Sequence, residues 1–356
     1  MVRVDMLLFS TVSVLVLFGL LMVYDASSVQ AFNLYGDQNH FIKDQIVWVT
    51  LGFFFLFLFS KIDYHFFFNL ALPGLLIALG LLVLVFVPGI GAGAKGANRW
   101  IDLGFATIQP AEFVKLELAL YLSAWFSTKE KGRFVAFAVL MVAVLLLVML
   151  QPDMGTASVI LFEAVVIYFL SGGQIRHFLL GIPVLLTVGV FLIFLAPYRL
   201  ARLTSFLQTD QSLTDISYHM KQALIALGNG GMFGLGIGNS LQKFSYLPEN
   251  TTDSIFPIIA EQFGFVGATI LILLFVVLIW RGFVIASRAR DTFGKLFAAG
   301  IVSFLGIQAF LNLGAMTSLV PLTGIPLPFI SYGGSALIVD MAAIGILLNI
   351  SKQIGR

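Results

Sequence analysis

Along the chain, unbroken apolar runs alternate with short polar or glycine-rich segments, and nowhere is there the strict every-other-residue pattern of a half-buried strand. A membrane crossing takes about 20 apolar residues, and windows of that size predict ten spans. They fall at 7–24, 45–60, 67–87, 108–126, 135–150, 156–171, 177–197, 256–280, 294–313 and 334–350. Lipid satisfies no backbone hydrogen bonds, so spans must be helices or a closed barrel, and barrel strands would alternate. The expected class is therefore all-α, a polytopic integral membrane protein with one transmembrane domain over residues 1–356. Arg3 before the first run and Ala26-Ser27-Ser28 after it give that run some look of a signal peptide. It exceeds the usual apolar stretch of about 7–15 residues, and further spans follow.

The cations set the orientation. With a cytoplasmic N-terminus, the inner loops and ends hold Arg3, Lys61, Lys129, Lys131, Arg133, Arg176, Arg281, Arg288, Arg290, Lys295, Lys352 and Arg356. The other side holds Lys43, Lys95, Arg99, Arg199, Arg202, Lys221 and Lys243. This excess follows the positive-inside rule, and an even number of spans returns the C-terminus to the cytoplasm. The unusual sequence then collects on the outer face: 91–107, the turn Gln151-Pro152-Asp153, the large loop 198–255 between spans seven and eight, and 314–335. Within that loop, 218–227 reads as an amphipathic helix followed by the glycine-rich 228–238, lying on the membrane interface. Function is expected to face outward.

Composition strengthens this picture: 59% of the 356 residues are hydrophobic and 11% charged, against roughly a quarter charged in a soluble domain. The absence of cysteine excludes disulfides, thiolate metal sites and cysteine nucleophiles. His40, His65, His177 and His219 are scattered without zinc-ligand spacing. The net charge of +2 carries no message of its own, and no nucleic-acid partner is expected.

Five groups of residues can carry chemistry. Pro110 opens the fourth span, with Glu112 and Lys115 at i, i+3 on one face. At about 1.5 Å of rise per residue, Lys115 lies about 9 Å inside. Two readings stay open: an ion pair that orients the helix, or the wall of an outward-open cavity in which Lys115 holds an anionic group. Lys95, Arg99 and Trp100 bring two cations and an interfacial aromatic to the lip of that helix, suited to a pyrophosphate lipid headgroup or to plain interface anchoring. Asp253 immediately precedes the eighth span, where a carboxylate can cap the helix or serve as a general base toward a sugar hydroxyl. Residues 321–335 hold three prolines and the hydroxyls of Ser331, Tyr332 and Ser335, and read as a re-entrant loop lining a cavity. Glu117, Glu163 and Asp340 fall well inside spans, where an acid marks a site, a relay or a pairing between helices.

Several segments, taken together, resemble a known family. They are Asn98-Arg99-Trp100-Ile101, Ile108-Gln109-Pro110-Ala111-Glu112, Gln151-Pro152-Asp153-Met154-Gly155-Thr156, Tyr246-Leu247-Pro248-Glu249 with Thr252-Asp253, and Pro326-Leu327-Pro328-Phe329-Ile330-Ser331-Tyr332-Gly333-Gly334-Ser335. In order and span position they resemble the SEDS family (shape, elongation, division and sporulation), whose members include FtsW, RodA and SpoVE. The resemblance implies a ten-span enzyme of the bacterial cytoplasmic (inner) membrane that joins lipid II and undecaprenyl-pyrophosphate-linked glycan into peptidoglycan strands. It implies a class B penicillin-binding protein, a transpeptidase, as partner within a division or elongation complex. A divalent cation, magnesium or manganese, is an optional assistant, with no cofactor certain.

Residue by residue, Asp253 matches the family's essential loop aspartate, and Glu112 with Lys115 its charged pair facing a central cavity. Arg99 and Asp153 match further sensitive positions. In the implied reaction Lys115 and Arg99 neutralise the leaving pyrophosphate. Leu322-Thr323-Gly324-Ile325 and Phe329-Ile330-Ser331 look closer to the division branch. Thr251, Ser254, Gln262 and Asp340 depart from the family's usual histidine, phenylalanine, glutamate and uncharged residue. Two rival classes remain: a lipid II flippase or proton-coupled transporter, which the intramembrane acids would serve, and a non-catalytic scaffold for a transpeptidase.

Overall fold

The computed structural model describes residues 4–94, 97–104, 106–128, 132–195, 197–207, 215–243, 247–249 and 251–354. The elements run α1 (Met6–Tyr35), α2 (His40–Lys61), α3 (His65–Leu84), β1 (Gly91–Ala94), β2 (Ala97–Asp102), β3 (Thr107–Ile108), α4 (Pro110–Ser127) and α5 (Phe134–Leu150). There follow α6 (Met154–Leu170), α7 (Ile175–Leu195), α8 (Pro197–Leu207), α9 (Asp215–Asn229), α10 (Ile255–Arg288), α11 (Thr292–Met316) and α12 (Gly334–Gln353). Each of the ten apolar runs lies largely within one helix. Among the described residues six helices, α1, α2, α3, α10, α11 and α12, are long and apolar enough to cross a membrane. Helices α5 and α6 are apolar but shorter, at 17 residues each, and α4 carries Glu112, Lys115 and Glu117.

Burial separates centre from periphery. In α11 and α12, 72% and 78% of the span residues are buried, against 22% in α2 and in α3, so the last two helices form the middle and the others turn apolar side chains to lipid. Helix α12 is tied to the end of α2 by polar groups. Asn349 accepts from the Tyr64 N–H at 3.0 Å and donates to the Ser60 carbonyl at 3.1 Å, and Lys352 Nζ reaches the same carbonyl at 2.7 Å. This closes the C-terminal turn of α2, whose last carbonyls have no partner inside the helix.

The opposite end of the bundle departs from the all-α expectation. β1, β2 and β3 form a three-stranded antiparallel sheet, with Ala92 opposite Trp100 and Ile101 opposite Ile108. Gly91-Ala-Gly-Ala has neither β-branched residues nor a hydrophobic face, so backbone pairing makes the strand and the side-chain pattern gives no sign of it. Lys95, in the β1–β2 connection, lies outside the described residues, as do Lys129 and Lys131.

A second departure concerns the eighth apolar run, expected as one continuous span. Helix α10 is broken at Gly264 (φ 68°, ψ −167°). A break orphans backbone groups that lipid cannot satisfy. Here the glycine-rich segment satisfies them: Leu235 and Gly236 N–H donate to the Glu261 and Gln262 carbonyls, both at 3.0 Å. Phe265 and Val266 N–H donate to Gly231 O at 2.8 Å and Met232 O at 3.1 Å. A Cβ at residue 264 would sit 2.3 Å from the Gly234 nitrogen, so glycine is required by contact as well as by its positive φ. The segment expected at the interface is therefore fused into the helix break. The expected amphipathic helix is α9, while α8 was not foreseen.

Candidate functional site

The site is built where β2, α6, α8, α10 and the 317–333 loop meet. Asp253 sits one residue before Ser254, the N-cap of α10, and neither side chain makes a capping bond. The Ser254 hydroxyl instead lies within hydrogen-bonding reach of His219 Nε2 on α9. The helix-cap reading of Asp253 therefore does not hold. Its backbone is held firmly all the same. Asn312 Nδ2 on α11 donates to the Asp253 carbonyl at 2.8 Å, Ser331 Oγ donates to the Thr252 carbonyl at 2.6 Å, and Tyr332 N–H donates to the Thr251 carbonyl at 2.9 Å. Three successive carbonyls thus accept from α11 and the proline-rich loop.

The Asp253 carboxylate, by contrast, takes no hydrogen bond among the described residues; charge and burial set its state. Burial pushes its pKa from 3.8 up to about 7, helped by Glu249 and Asp153 and opposed by Arg202 and Arg99. Arg202 comes from α8, where Nη1 donates to the carbonyls of Leu322 (3.1 Å) and Thr323 (3.4 Å). Arg99 comes from β2, where its Nε donates to the Gln151 carbonyl at 3.0 Å and its Nη2 to the Pro152 carbonyl.

Asp153 is the N-cap of α6. It accepts from Thr156 N–H at 3.0 Å, Thr156 Oγ1 at 2.9 Å and Gln109 Nε2 at 3.2 Å. Ser335 Oγ accepts from Gln109 N–H at 3.4 Å, joining the start of α12 to the same junction. Sequence reasoning gathered Arg99, Asp153 and Asp253, and the fold brings them together.

Other expected residues lie elsewhere. Lys115 and Glu112 are 1% and 2% exposed and paired at 2.7 Å, with Lys115 also donating to Gln308 Oε1. Both side chains are closed off from solvent, and their geometry is that of the ion-pair reading. Gln308 Nε2 donates to the Pro326 carbonyl at 3.2 Å, and Asn312 Nδ2 to the Ile325 carbonyl at 2.7 Å. Among the described residues the buried pair is linked to the loop through Gln308.

The Ser331 hydroxyl is committed on both sides, since besides donating to the Thr252 carbonyl it accepts from Leu327 N–H at 2.8 Å. The Tyr332 ring packs edge-on against Phe41 of α2, centroids 5.3 Å apart, and its phenol is pushed up to about 12, first by burial and then by Asp44. Trp100 is half-buried in the sheet. Glu163 and Asp340 are fully buried with no hydrogen-bond partner among the described residues.

Sequence reasoning assigned no role to Arg202, Gln308, Asn312 or Gly324. For the two amides a signal existed: polar residues four apart on one face of an otherwise apolar helix, placed to bond across it. Among the described residues no three histidine, aspartate or glutamate side chains gather as a ligand set for a divalent cation, and Asp153 is committed to the start of α6.

Comparison with known proteins bears on the whole chain. The FtsW/RodA/SpoVE family model, described as cell cycle protein, matches residues 5–355. Stage V sporulation protein E of Bacillus subtilis is 40% identical over 354 residues, covering 98% of this chain and 97% of its own. A probable peptidoglycan glycosyltransferase FtsW of Geobacter sp. (strain M18) is 39% identical over 357 residues, with 98% and 97% covered. Among solved structures, a chain from work on the structural coordination of polymerization and crosslinking by a peptidoglycan synthase complex superposes with a TM-score of 0.84 at 29% identity, covering 99% of this chain and 98% of that one. The rod shape determining protein RodA of Thermus thermophilus superposes with a TM-score of 0.73 at 30% identity, covering 99% and 98%. A match of this extent in sequence, carried through to the fold, leaves one conclusion: the chain belongs to the FtsW/RodA/SpoVE family.

Proposed function

We propose that this chain is a peptidoglycan glycosyltransferase that polymerises glycan strands from lipid II at the outer face of the bacterial cytoplasmic membrane. The supporting observation is Asp253: a carboxylate unbonded among the described residues, on a backbone held at three successive carbonyls, ionising near neutral pH under the influence of two guanidinium groups. A general base works best with a pKa near the working pH.

In the proposed reaction Asp253 takes the proton of the acceptor 4-hydroxyl of lipid II. The oxygen attacks the anomeric carbon of the growing strand, the bond from that carbon to the pyrophosphate oxygen breaks, and undecaprenyl pyrophosphate leaves. Arg99 neutralises the charge developing on the leaving group. Lys115, enclosed with Glu112, acts by holding Gln308 and the loop. Ten spans with both ends cytoplasmic would place this site outside, within reach of a class B penicillin-binding protein that cross-links the product.

Purified protein incubated with labelled lipid II tests the proposal. Glycan strands are expected, and are expected to vanish in a folded Asp253→Asn variant. Strand synthesis that continued unchanged in that variant would remove Asp253 as the base. Movement of lipid II between leaflets without strands would establish a transporter, the reading favoured by Glu163 and Asp340, buried acids with no hydrogen bond among the described residues.

A further inference from the structure

Gly324 lies in the proline-rich loop at φ +71°, and the space a side chain would take there is bounded by two charged groups. A Cβ at residue 324 would lie 3.4 Å from Asp253 Oδ2 and 4.0 Å from Arg202 Nη2. The other end of that guanidinium is anchored, because Nη1 donates to the carbonyls of Leu322 and Thr323, the two residues before the glycine. One arginine thus braces the loop through Nη1, while its Nη2 and the Asp253 carboxylate both border the space beside Gly324.

We propose that Arg202 is the positioning residue for Asp253, and that the side-chain-free face of Gly324 is where the reacting hydroxyl oxygen of the acceptor sits between them. This rests on Asp253 being the base. The charged groups facing Asp253 come from four elements: Glu249 on its own loop, Arg202 on α8, Asp153 at the start of α6 and Arg99 on β2. Arg202 is the larger of the two cationic influences, and both favour the ionised carboxylate. Arg99 spends its Nε and Nη2 on the Gln151 and Pro152 carbonyls, whereas Arg202 borders the opening itself.

The test is the pH dependence of strand synthesis from labelled lipid II, measured for the parent protein, Arg202→Gln, Arg202→Lys and Gly324→Ala, with Asp253→Asn as control. Without its guanidinium the Asp253 proton is held more tightly, so in Arg202→Gln the acidic limb of kcat should move to higher pH. A rise of about one in a pKa of about 7 drops the ionised fraction at pH 7 from about a half to about a tenth, so activity should fall about fivefold there and recover near pH 9. Arg202→Lys keeps the charge and should leave the limb in place while lowering kcat through the loosened loop. Gly324→Ala should raise KM for the acceptor in proportion to the space filled.

An equal loss at every pH in Arg202→Gln, with the limb unmoved, would overturn the proposal. If that variant does not fold, Arg202→Lys decides alone: a displaced limb would overturn it and an unmoved limb supports it. An active Asp253→Asn control would instead bring down the base assignment, so the two failures are distinguishable.

Discussion

The side-chain amide of Asn312 donates to the main-chain carbonyl of Asp253 at 2.8 Å, and its second proton goes to the carbonyl of Ile325 at 2.7 Å. One group on a central helix therefore sets the distance between the segment carrying the proposed base and the loop facing it. Both bonds lie in a shielded place where water is a poor substitute.

Removing that amide should loosen both segments together. Asn312→Leu leaves two carbonyls without their donor, at about 1–3 kcal/mol each, and should lower the thermal midpoint in detergent as well as strand synthesis. Asn312→Asp matches the shape but, when ionised, donates nothing. It should be no better than leucine in either measurement, and an aspartate variant with parental activity would count against the clamp.

The raised pKa of Asp253 makes two pH predictions of definite sign. A base must be ionised, so strand synthesis should climb through about pH 7 and level off above it. For stability, the folded protein holds this proton more tightly than the unfolded chain, whose value is 3.8. The folded state is thus favoured below 3.8 and loses that advantage as pH rises to about 7. Asp253→Asn should therefore be inactive yet melt at a higher temperature than the parent at pH 8, which differential scanning fluorimetry can read.

For the buried pair, removing one partner strands a charge. Lys115→Met or Glu112→Gln alone should each destabilise by about 3–5 kcal/mol, and the double variant by much less than the sum. Chemical denaturation of the three variants measures the coupling. An additive result would mean that the two side chains do not depend on each other.

Two glycines with positive φ should respond differently to alanine. Gly36, which closes α1 at φ 69°, has nothing within 4 Å of a built Cβ, so Gly36→Ala carries only backbone strain, about 1–2 kcal/mol. Gly264→Ala adds a 2.3 Å approach to the Gly234 nitrogen and should greatly reduce the yield of folded protein. Comparing the two by size-exclusion profile separates strain from collision.

Much of the fold was legible because lipid enforces a simple code: each apolar run became a helix, as the cost of unpaired backbone in hydrocarbon requires. The charged pair near the start of α4 and the gathering of the motif residues Arg99, Asp153 and Asp253 were legible too. The sheet was not, since Gly91 to Ala94 carry no side-chain pattern. Nor was the interior placement of Lys115, because depth along a helix says nothing of which neighbours close over it. Arg202 stayed hidden for a related reason: in the sequence it is one cation of a long outer loop, and its bonds to the Leu322 and Thr323 carbonyls come from a distant part of the chain.

The glycine-rich stretch beside the break in α10 behaves like the missing half of a strand ladder. Four bonds run between 231–236 and 261–266, two in each direction, and they depend on a shared register. Deleting or inserting one residue between Gly231 and Gly236 would misalign the donors and acceptors together. Surface loops usually tolerate changes in length, but this one is bound to a fixed count, and the helix that starts just after Asp253 inherits that count as its own geometry.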